Sequence, residues 1–305
     1  MLDTIRVKFP IEPTVEQLKT GWTQRTTRTQ TGESNTYLFN PVVGETTLRF
    51  TYRPVDYTSQ PMLTLECSLP KLIFGNNYQM LGSIDGAIKI ANRQLEGVSH
   101  IPKLDLAEGI LIRLDLCYNH QVGDAVNDYI IAIGNLDYPH RRTKYHRYEG
   151  TEFRAKHKTT KFYNKEHESG YSEAHGILRQ EITLINGKDI QKLLHTTKPT
   201  LLNVTPELVS EELQSDLIKL RLLNNSIANR DTAFEIFCEM HGENAGIYYY
   251  GLLMRKTKVS RKRIAKESNM HPRSIDRKLK KIIDAGIPLT ITNTEEPLPP
   301  LSIHF

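Results

Sequence analysis

The segment Ile110-Leu-Ile-Arg-Leu-Asp-Leu-Cys117 is the clearest strand signal in the chain. Apolar and polar side chains alternate along it, and successive side chains of a β-strand point to opposite faces of the sheet. The alternation predicts one face made of Ile110, Ile112, Leu114 and Leu116. It predicts an opposite face that carries Leu111, Arg113, Asp115 and Cys117. A strand that presents an arginine beside an acid indicates a sheet with a polar site on one face.

Two other segments also carry a lone acid inside a strand pattern. Alternation in residues 63–68 places Glu66 on the polar face, and alternation in Ile177–Leu184 places Arg179 and Glu181 on a shared face. A buried carboxylate is costly unless a cation or a metal ion neutralises it. Each acid could therefore form an Arg–carboxylate pair on a solvated sheet face, or the three acids could converge on one site.

The second interpretation predicts a metal site. Three carboxylates that leave room for water and phosphate suit Mg²⁺ or Mn²⁺. We predict Glu66, Asp115 and Glu181 as the ligands. The sequence has no His-x-His pair, which argues against a site built from imidazoles.

The composition is that of an ordinary globular protein, with 38% hydrophobic and 25% charged residues. No apolar run approaches the roughly 18 residues that a membrane span needs, and Asp3 argues against a secretory signal at the N-terminus. The three cysteines, Cys67, Cys117 and Cys238, are widely spaced, which argues against a disulfide framework and against a thiolate zinc site. We predict a protein of the reducing cytoplasm.

Charge is distributed unevenly along the chain, whose formal net charge is +5. Residues 139–165 hold nine Lys or Arg and two acids, a balance of +7, and residues 255–281 hold twelve and two, a balance of +10. The remainder therefore carries −12. Basic segments are usually solvated faces, but segregation this strong, with Tyr, Phe and His interleaved in the first segment, favours a polyanionic partner. Nucleic acid is the predicted partner.

The pattern of apolar residues changes near residue 200. Short strand patterns dominate before it, and helical spacing dominates after it. We predict an α+β domain at residues 1–195, a helical domain at residues 205–290 and an extended tail at residues 291–305. Helices are predicted at residues 78–95, 124–133, 206–223 and 230–241 and twice between 260 and 284, a strand at 153–165, and a loop or irregular hairpin at 12–40.

Residues 260–286 have the spacing of a helix-turn-helix motif. Asn269 would lie at a left-handed turn and Gly286 just beyond the second helix. The second helix would bury a stripe formed by Ile275, Leu279, Ile282 and Ile283. The predicted DNA-binding residues of the motif, which would meet phosphates and base edges, are Arg261, Arg263, Arg273, Arg277, Lys278 and Lys281. A plain helical hairpin with a basic surface is the alternative.

The segment Lys158-Thr-Thr-Lys-Phe-Tyr-Asn-Lys-Glu-His-Glu168 places a tyrosine between lysines. If it is a strand, Lys161, Tyr163 and Lys165 share one face. Nearby positive charge favours the phenolate form of a tyrosine, and a phenolate is a competent nucleophile on phosphodiesters. The chain has 14 tyrosines, and most tyrosines serve packing or hydrogen bonding, so this context alone does not single out Tyr163.

Five stretches together carry a resemblance to a known family. They are Leu65-Glu-Cys-Ser-Leu-Pro-Lys-Leu-Ile-Phe-Gly-Asn-Asn77, Ile112-Arg-Leu-Asp-Leu116, Thr160-Lys-Phe-Tyr-Asn-Lys-Glu-His-Glu168, Leu178-Arg-Gln-Glu-Ile182 and Asp284-Ala-Gly-Ile-Pro288. In this order the chain resembles the filamentous-phage replication initiators, the gene II protein family, and related plasmid rolling-circle initiators. The Tyr-x-Lys-x-x-Glu element followed by Arg-x-Glu is the most specific part of the resemblance.

The resemblance implies an α+β fold in which an antiparallel-sheet endonuclease core, like that of rolling-circle Rep proteins, precedes the helix-turn-helix domain. It implies a metal-dependent enzyme that nicks one strand of a double-stranded origin through a 5′-phosphotyrosine and rejoins the strand after replication. The implied partners are origin DNA, double-stranded and locally single-stranded, and a host helicase and polymerase. The implied location is the cytoplasm of a bacterial host, with no membrane partner.

The resemblance also implies roles for individual residues. Tyr163 is the nucleophile, and Lys165 holds the scissile phosphate or protonates a leaving oxygen. Glu166 and Glu168 are reserve metal ligands. Apart from the resemblance, we also predict that Lys161, Arg113 and Arg179 bind DNA.

Two alternatives stay open. A non-enzymatic origin-binding protein or transcription regulator would explain the basic helical segment, but it gives no role to the strand carboxylates or to Tyr163. A relaxase or transposase with the same tyrosine chemistry would differ from an initiator in its target DNA.

Overall fold

The computed structural model describes residues 1–29, 32–54, 60–146 and 149–305. The chain is a mixed α+β protein with a large antiparallel sheet, as the sequence predicts. It divides into two compact units, each built from two segments. The first unit comprises Met1–Cys117 and Ile182–Val209, and the second comprises Tyr118–Glu181 and Ser210–Phe305. Whether residues 1–195 and 205–290 act as separate functional domains stays a prediction.

The secondary structure alternates strands and short helices up to about residue 200. The strands are β1 (Leu2–Phe9), β2 (Thr23–Thr29), β3 (Gly32–Phe39), β4 (Val42–Val43), β5 (Thr46–Thr47), β6 (Arg49–Arg53), β7 (Met62–Ser68), β8 (Ile110–Gln121), β9 (Arg142–His146), β10 (Gly150–Arg154), β11 (Lys158–Asn164) and β12 (Ile177–Leu184). The α-helices are α1 (Val15–Lys19), α2 (Leu69–Phe74), α3 (Ile84–Glu96), α4 (Val126–Gly134), α5 (Lys165–Ser169), α6 (Gly187–Leu193), α7 (Pro206–Leu220), α8 (Arg230–His241), α9 (Glu243–Lys256), α10 (Arg261–Glu267) and α11 (Pro272–Asp284).

The first unit is an antiparallel sheet in the order β2-β3-β6-β7-β1-β8. Its inner face is apolar because every second residue of β1, β6 and β7 is buried, as period-2 alternation requires. Helix α2 packs on β1 and β7, and α3 packs on α2. The hydroxyl of Ser68 starts α2 by accepting a hydrogen bond from the Lys71 amide, and Gly75 ends it in a left-handed conformation.

Strand β8 departs from strict alternation. The neighbours Arg6 and Val7 of β1 lie opposite Arg113 and Leu111, so β8 has one extra residue, Ile112, at this point. Such a bulge shifts the pleat by one residue. Leu111 is consequently fully buried, whereas Arg113, two residues on, is half-buried beside polar partners. The predicted sharing of one face by Leu111 and Arg113 is therefore wrong.

The second unit contains β9, β10, β11 and residues 177–181 of β12, in the sheet order β12-β11-β10-β9, with α4 packed on β10 and β11. The rings of Phe153 and Phe162 meet edge to face on the buried side of these strands, with centroids 6.5 Å apart. Next to this sheet, the Val122 amide, just after the end of β8, donates to the Gly176 carbonyl, just before the start of β12, at 2.9 Å.

A buried carboxylate on α7 anchors the inner face of β11. Asp216 has no exposed surface and accepts a hydrogen bond from the Tyr138 hydroxyl at 2.7 Å and another from Thr160 of β11. Lys158 lies 3.3 Å and Arg141 3.8 Å from the same carboxylate. Lys219, one turn further along α7, lies 3.9 Å from it. Asp216 is thus the common partner of three cations and two hydroxyls, a compensation that a buried charge requires.

The last four helices form their own apolar cluster. Its buried members include Phe237, Leu253, Ile264, Ala265, Ile275, Leu279 and Ile282. The predicted stripe on α11 is thereby confirmed for Ile275, Leu279 and Ile282, whereas Ile283 is half-exposed. Asn269 has φ +49° and Gly286 has φ +78°, so the predicted left-handed positions are confirmed.

Several predicted elements have different bounds. The predicted strand at 153–165 is two strands, β10 and β11, and β11 stops at Asn164 because its side chain accepts from the His167 amide and caps α5. Helix α3 begins at Ile84, after the cap residue Ser83, rather than at residue 78. Residues predicted as loop or irregular hairpin contain the regular hairpin β2–β3. Helix α9 and strand β9 were not predicted.

No helix within the described ranges is both long and apolar enough to cross a membrane.

Removal of the Asp216 carboxylate should destabilise the protein strongly. Asp216→Ala leaves Lys158 and Arg141 without their shared buried partner, and breaking a buried ion pair from one side costs about 3–5 kcal/mol. Urea unfolding should show this loss, with Glu211→Ala, an exposed acid on the same helix, as the matched control. A loss for Asp216→Ala as small as the control's would contradict the anchoring role.

Candidate functional site

Tyr163 and Lys161 extend from the same face of β11 and share one acceptor. The Tyr163 hydroxyl donates to Glu181 Oε2 at 2.9 Å, and Lys161 Nζ donates to Glu181 Oε1 at 2.8 Å. Both donors are half-buried, whereas the Glu181 side chain is only 8% exposed. The structure therefore brings together three of the predicted site residues, with the tyrosine oxygen held by a carboxylate whose other oxygen binds a lysine.

The charge state of Glu181 follows from its neighbours. Burial favours the protonated carboxyl, but the charge and hydrogen bond of Lys161, the charge of Arg179 and the hydrogen bond from Tyr163 outweigh it. These neighbours hold the pKa of Glu181 below its ordinary value. Glu181 is therefore ionised at neutral pH and presents a negative charge to the tyrosine hydroxyl.

A glycine opposite Tyr163 allows β10 and β11 to approach closely. Gly150 pairs with Tyr163 across the two strands. A Cβ atom at Gly150 would lie 2.7 Å from Tyr163 Cβ and 2.7 Å from the Phe162 carbonyl oxygen. No other residue type fits there without moving the backbone that carries the tyrosine.

Lys165 lies elsewhere than its predicted position on the strand. It is the first residue of α5, its side chain has no exposed surface, and its ammonium binds Glu168. Its Nζ lies 5.7 Å from the centroid of the Tyr163 ring, within reach of a cation–π interaction. The predicted shared strand face of Lys161, Tyr163 and Lys165 is wrong for Lys165, since Asn164 ends the strand.

The predicted reserve ligands point to different partners. Glu168 binds Lys165, whereas Glu166 lies 2.9 Å from Nδ1 of His175. The other ring nitrogen of His175 lies 3.1 Å from Asp124. Hydrogen bonds to Glu166 and Asp124 raise the pKa of this exposed histidine.

Arg179 is buried beside the site. It precedes Glu181 by two residues on β12, and all eight residues of that strand are buried. Arg179 itself has no exposed surface. The charge of Arg179 acts on Glu181, and its contact with DNA stays a prediction.

Two other predicted ligands meet in the first unit. Arg113 donates from Nε and Nη2 to the two oxygens of Asp115 at 3.1 and 2.7 Å, and from Nη1 to Glu66 Oε1 at 2.9 Å. Arg6 Nε donates to Glu66 Oε2 at 2.6 Å. The result is a chain of alternating charges across β7, β1 and β8, which matches the Arg–carboxylate interpretation of these strands.

The predicted metal site can be tested against these donors. Each of the six oxygens of Glu66, Asp115 and Glu181 accepts a hydrogen bond from an arginine, a lysine or a tyrosine. Arg6, Arg113 and Lys161 already supply the positive charge that a divalent ion would bring to these carboxylates. As arranged, the three carboxylates do not fit a divalent ion. In the part of the chain that the structure describes, no three or more His, Cys, Asp or Glu side chains are grouped to hold a metal.

The predicted DNA-binding residues of the second basic segment lie on two helices joined by a four-residue turn. Arg273, Arg277 and Lys281 are exposed at helical spacing on α11. Lys278 Nζ lies 4.3 Å from the centroid of the Tyr248 ring. Arg261 binds Asp276 at 3.0 Å, and Arg263 binds Glu267 at 2.7 Å. The outer face of α11 is therefore the more strongly positive part of this surface.

The first basic segment is less available than its charge predicts. Five of its nine cations, Arg141, Arg154, Lys158, Lys161 and Lys165, bind acids. Arg142, Lys144 and Lys156 are exposed. Arg147 lies outside the described residues.

The sequence did not predict two structural features of the site, Gly150 and Asp216. Gly150 has no local signature, because its role depends on the strand that pairs with it. The position of Asp216 could have been predicted from its helical spacing. It lies on the buried face of α7, three residues after Leu213 and four before Leu220. A lone acid on an apolar helix face requires compensation by cations or donors.

Comparisons with known proteins give little guidance. No protein-family model matches the chain, and no curated protein matches it significantly. Among solved structures, the crystal structure of the di-domain ARO/CYC BexL from the BE-7585A biosynthetic pathway aligns at 13% sequence identity over 65% of this chain and 75% of that chain. Its TM-score of 0.18 is too low to indicate a shared fold.

The contribution of Glu181 to stability should depend on pH. A carboxylate whose pKa is lowered by folding stabilises the protein fully above its ordinary pKa, and that contribution is lost as the pH falls through the lower folded value. The stability difference between wild type and Glu181→Gln should therefore be largest near neutrality and shrink in acid. Urea unfolding from neutral to acidic pH measures it, with Glu211→Gln as the exposed control. A difference that does not change with pH would contradict this arrangement.

Proposed function

We propose that this protein is a rolling-circle replication initiator. In this proposal it nicks one strand of a double-stranded origin with Tyr163, keeps the 5′ phosphate as a phosphotyrosine, and rejoins the strand after replication. The order of the sequence stretches that resemble the gene II family supports the proposal. The observation that carries it is the hydrogen bond from the Tyr163 hydroxyl to Glu181, with Lys161 on the same carboxylate.

The shared carboxylate gives the tyrosine a defined orientation. A nucleophile must point at the phosphorus within a narrow range of directions, and a hydrogen bond to a buried acceptor restricts the phenol oxygen accordingly. Glu181 is ionised and a weak base, so it takes up the phenol proton as the new oxygen–phosphorus bond forms. Lys161 supplies the positive charge that stabilises the developing phenolate.

The chemical balance needs no nucleotide cofactor. The Tyr163 oxygen attacks the phosphorus, the bond from phosphorus to the 3′ oxygen breaks, and the 3′ oxygen takes up a proton. One phosphodiester is replaced by another, so the energy of the bond is kept in the phosphotyrosine. Attack by a 3′-hydroxyl on the phosphotyrosine reverses the step, closes the strand and returns the proton to the tyrosine.

The roles of the neighbouring residues are revised accordingly. Lys165 is buried and bound to Glu168, so in this proposal it supports the Tyr163 ring rather than holding the scissile phosphate. Gly150 keeps β10 close to the tyrosine. Both act as positioning residues.

Recognition of duplex DNA is assigned to α10 and α11, used as a helix-turn-helix motif. The exposed residues Arg273, Arg277 and Lys281 of α11 would contact phosphates and base edges. Arg261 and Arg263, which pair with acids, would contribute less. Origin DNA is the proposed partner, and a host helicase and polymerase in a bacterial cytoplasm complete the proposed setting.

No step of this mechanism passes through a metal ion. The three strand carboxylates predict Mg²⁺ or Mn²⁺, which would polarise the scissile phosphate, but the carboxylates of Glu66, Asp115 and Glu181 are bound to protein donors. A metal requirement stays a prediction, and nicking assays with Mg²⁺ and with EDTA decide it.

A second candidate is a non-enzymatic DNA-binding regulator. It is favoured by the internal pairing of the strand carboxylates and by the exposed cations of α11. Such a protein would bind its site on duplex DNA but would leave a supercoiled plasmid uncut under every ionic condition.

Replacement of the nucleophile is the direct test. Tyr163→Phe removes the attacking oxygen and keeps the ring, so it should abolish the covalent protein–DNA adduct and leave duplex binding nearly unchanged. The measurement is a denaturing gel of protein incubated with supercoiled origin plasmid, with Mg²⁺ and with EDTA.

Tyr171→Phe is the control, because Tyr171 is an exposed tyrosine shortly after Tyr163 and should keep full activity. A denaturant-resistant adduct formed by Tyr163→Phe would refute the assignment. The absence of any adduct from wild-type protein on plasmids carrying the origin would favour the regulator.

A further inference from the structure

The open face of the sheet in the first unit contains a basic groove of about 720 Å³. Strands β6, β7, β1 and β8 form its floor. The charged residues that line it are Arg6, Lys8, Arg49, Arg53 and Glu66. Four cations therefore surround one acid in a surface that the proposed nicking chemistry does not use.

The strand register explains why the cations face the same way. Glu66 of β7 lies opposite Arg6 on one side and opposite Arg49 on the other. Two residues along, Thr64 lies between Lys8 and Thr51 in the same manner. Because side chains with a spacing of two share a face, the cations and the two threonine hydroxyls all border the groove.

The negative charge in the groove is already neutralised. Glu66 forms ion pairs with Arg6 and Arg113. The other terminal nitrogen of the Arg113 guanidinium forms an ion pair with Asp115. Within the described ranges, no carboxylate lies within 4.0 Å of Lys8, Arg49 or Arg53. These three cations keep a net positive charge that an anionic ligand can neutralise.

The spacing of the cations suits a chain of phosphates. Strands lie about 4.8 Å apart and rise about 3.4 Å per residue. Arg49 and Arg53 are therefore about 14 Å apart along β6, and Lys8 lies about 10 Å across from that strand. A flexible single strand can enter such a groove with its phosphates, whereas a rigid duplex is too wide to follow the floor.

We propose that this groove binds the sugar-phosphate backbone of single-stranded DNA. The commitment to DNA rests on the proposed function, since strand nicking exposes single-stranded DNA. The described residues that line the groove are mainly cations and threonines, so contacts to phosphates provide most of the binding. The groove therefore binds with little base preference and with a steep dependence on salt.

Removal of the three unneutralised cations tests the groove. The triple variant Lys8→Gln, Arg49→Gln, Arg53→Gln should bind a fluorescein-labelled oligothymidylate roughly tenfold more weakly or worse at low salt. The slope of log affinity against log salt should fall by about 2, from about 0.7 for each phosphate contact to single-stranded DNA. Fluorescence anisotropy of the full chain measures both quantities.

The matched control removes the same charge elsewhere in the first unit. Lys188→Gln, Lys192→Gln, Lys198→Gln alters three exposed lysines and should leave affinity and slope nearly unchanged. Equal losses in the two triple variants would show that net charge alone binds the strand, which overturns the proposal. Full competition by inorganic phosphate at matched phosphate concentration would overturn it too, because the groove would then be a small-anion site.

The remaining outcomes are also decisive. If thermal unfolding shows that the groove triple does not fold, Arg49→Gln and Arg53→Gln singly should each lower the slope by about 0.7, and unchanged slopes would refute the groove. Binding of the oligothymidylate requires no cleavage. Failure of the groove is therefore seen in anisotropy alone, and failure of the proposed nicking is seen in the Tyr163→Phe adduct assay alone.

Discussion

Buried carboxylates must be neutralised by nearby cations and hydrogen-bond donors, and this constraint determines both faces of β11. On the inner face, Asp216 of α7 accepts from Thr160 and attracts Lys158. On the other face, Glu181 of β12 accepts from Lys161 and Tyr163. Because side chains alternate along a strand, the two acids leave the segment around Tyr163 with one register and little freedom to slip.

The same constraint changes how the predicted metal ligands are interpreted. An acid inside a strand pattern indicates that something neutralises it, but the pattern does not say whether an arginine, a lysine or a metal ion does so. In the structure, an ion pair with Arg113 neutralises Asp115, and an ion pair with Lys161 neutralises Glu181. In the proposed function, a tyrosine held by an ionised carboxylate beside a lysine serves a transesterification, because that reaction needs a directed oxygen and a nearby positive charge rather than a hydrolytic water.

The parts of the fold that the sequence predicted are those with strong local signals. Helix α8 has the predicted bounds, and the turn at Asn269 has the expected left-handed backbone. Helix α9 was missed because Gly246 weakens its helical pattern, yet a Cβ there would lie 2.7 Å from Cys238 Sγ of α8. Strand β9 exposes four of its five side chains and so shows no alternation. Contacts with other elements, rather than local sequence, therefore decide the structure at α9 and β9. The same holds for β8, where pairing with β1 creates the bulge.

The central claim is that the Tyr163 oxygen becomes the covalent link to DNA. The most direct measurement is mass spectrometry of the adduct after nuclease and trypsin digestion. The account predicts one nucleotide 5′-phosphate on the peptide Phe162-Tyr163-Asn164-Lys165, with the phosphate on the tyrosine. A nucleotide found on any other peptide, or on any other residue type, would contradict it.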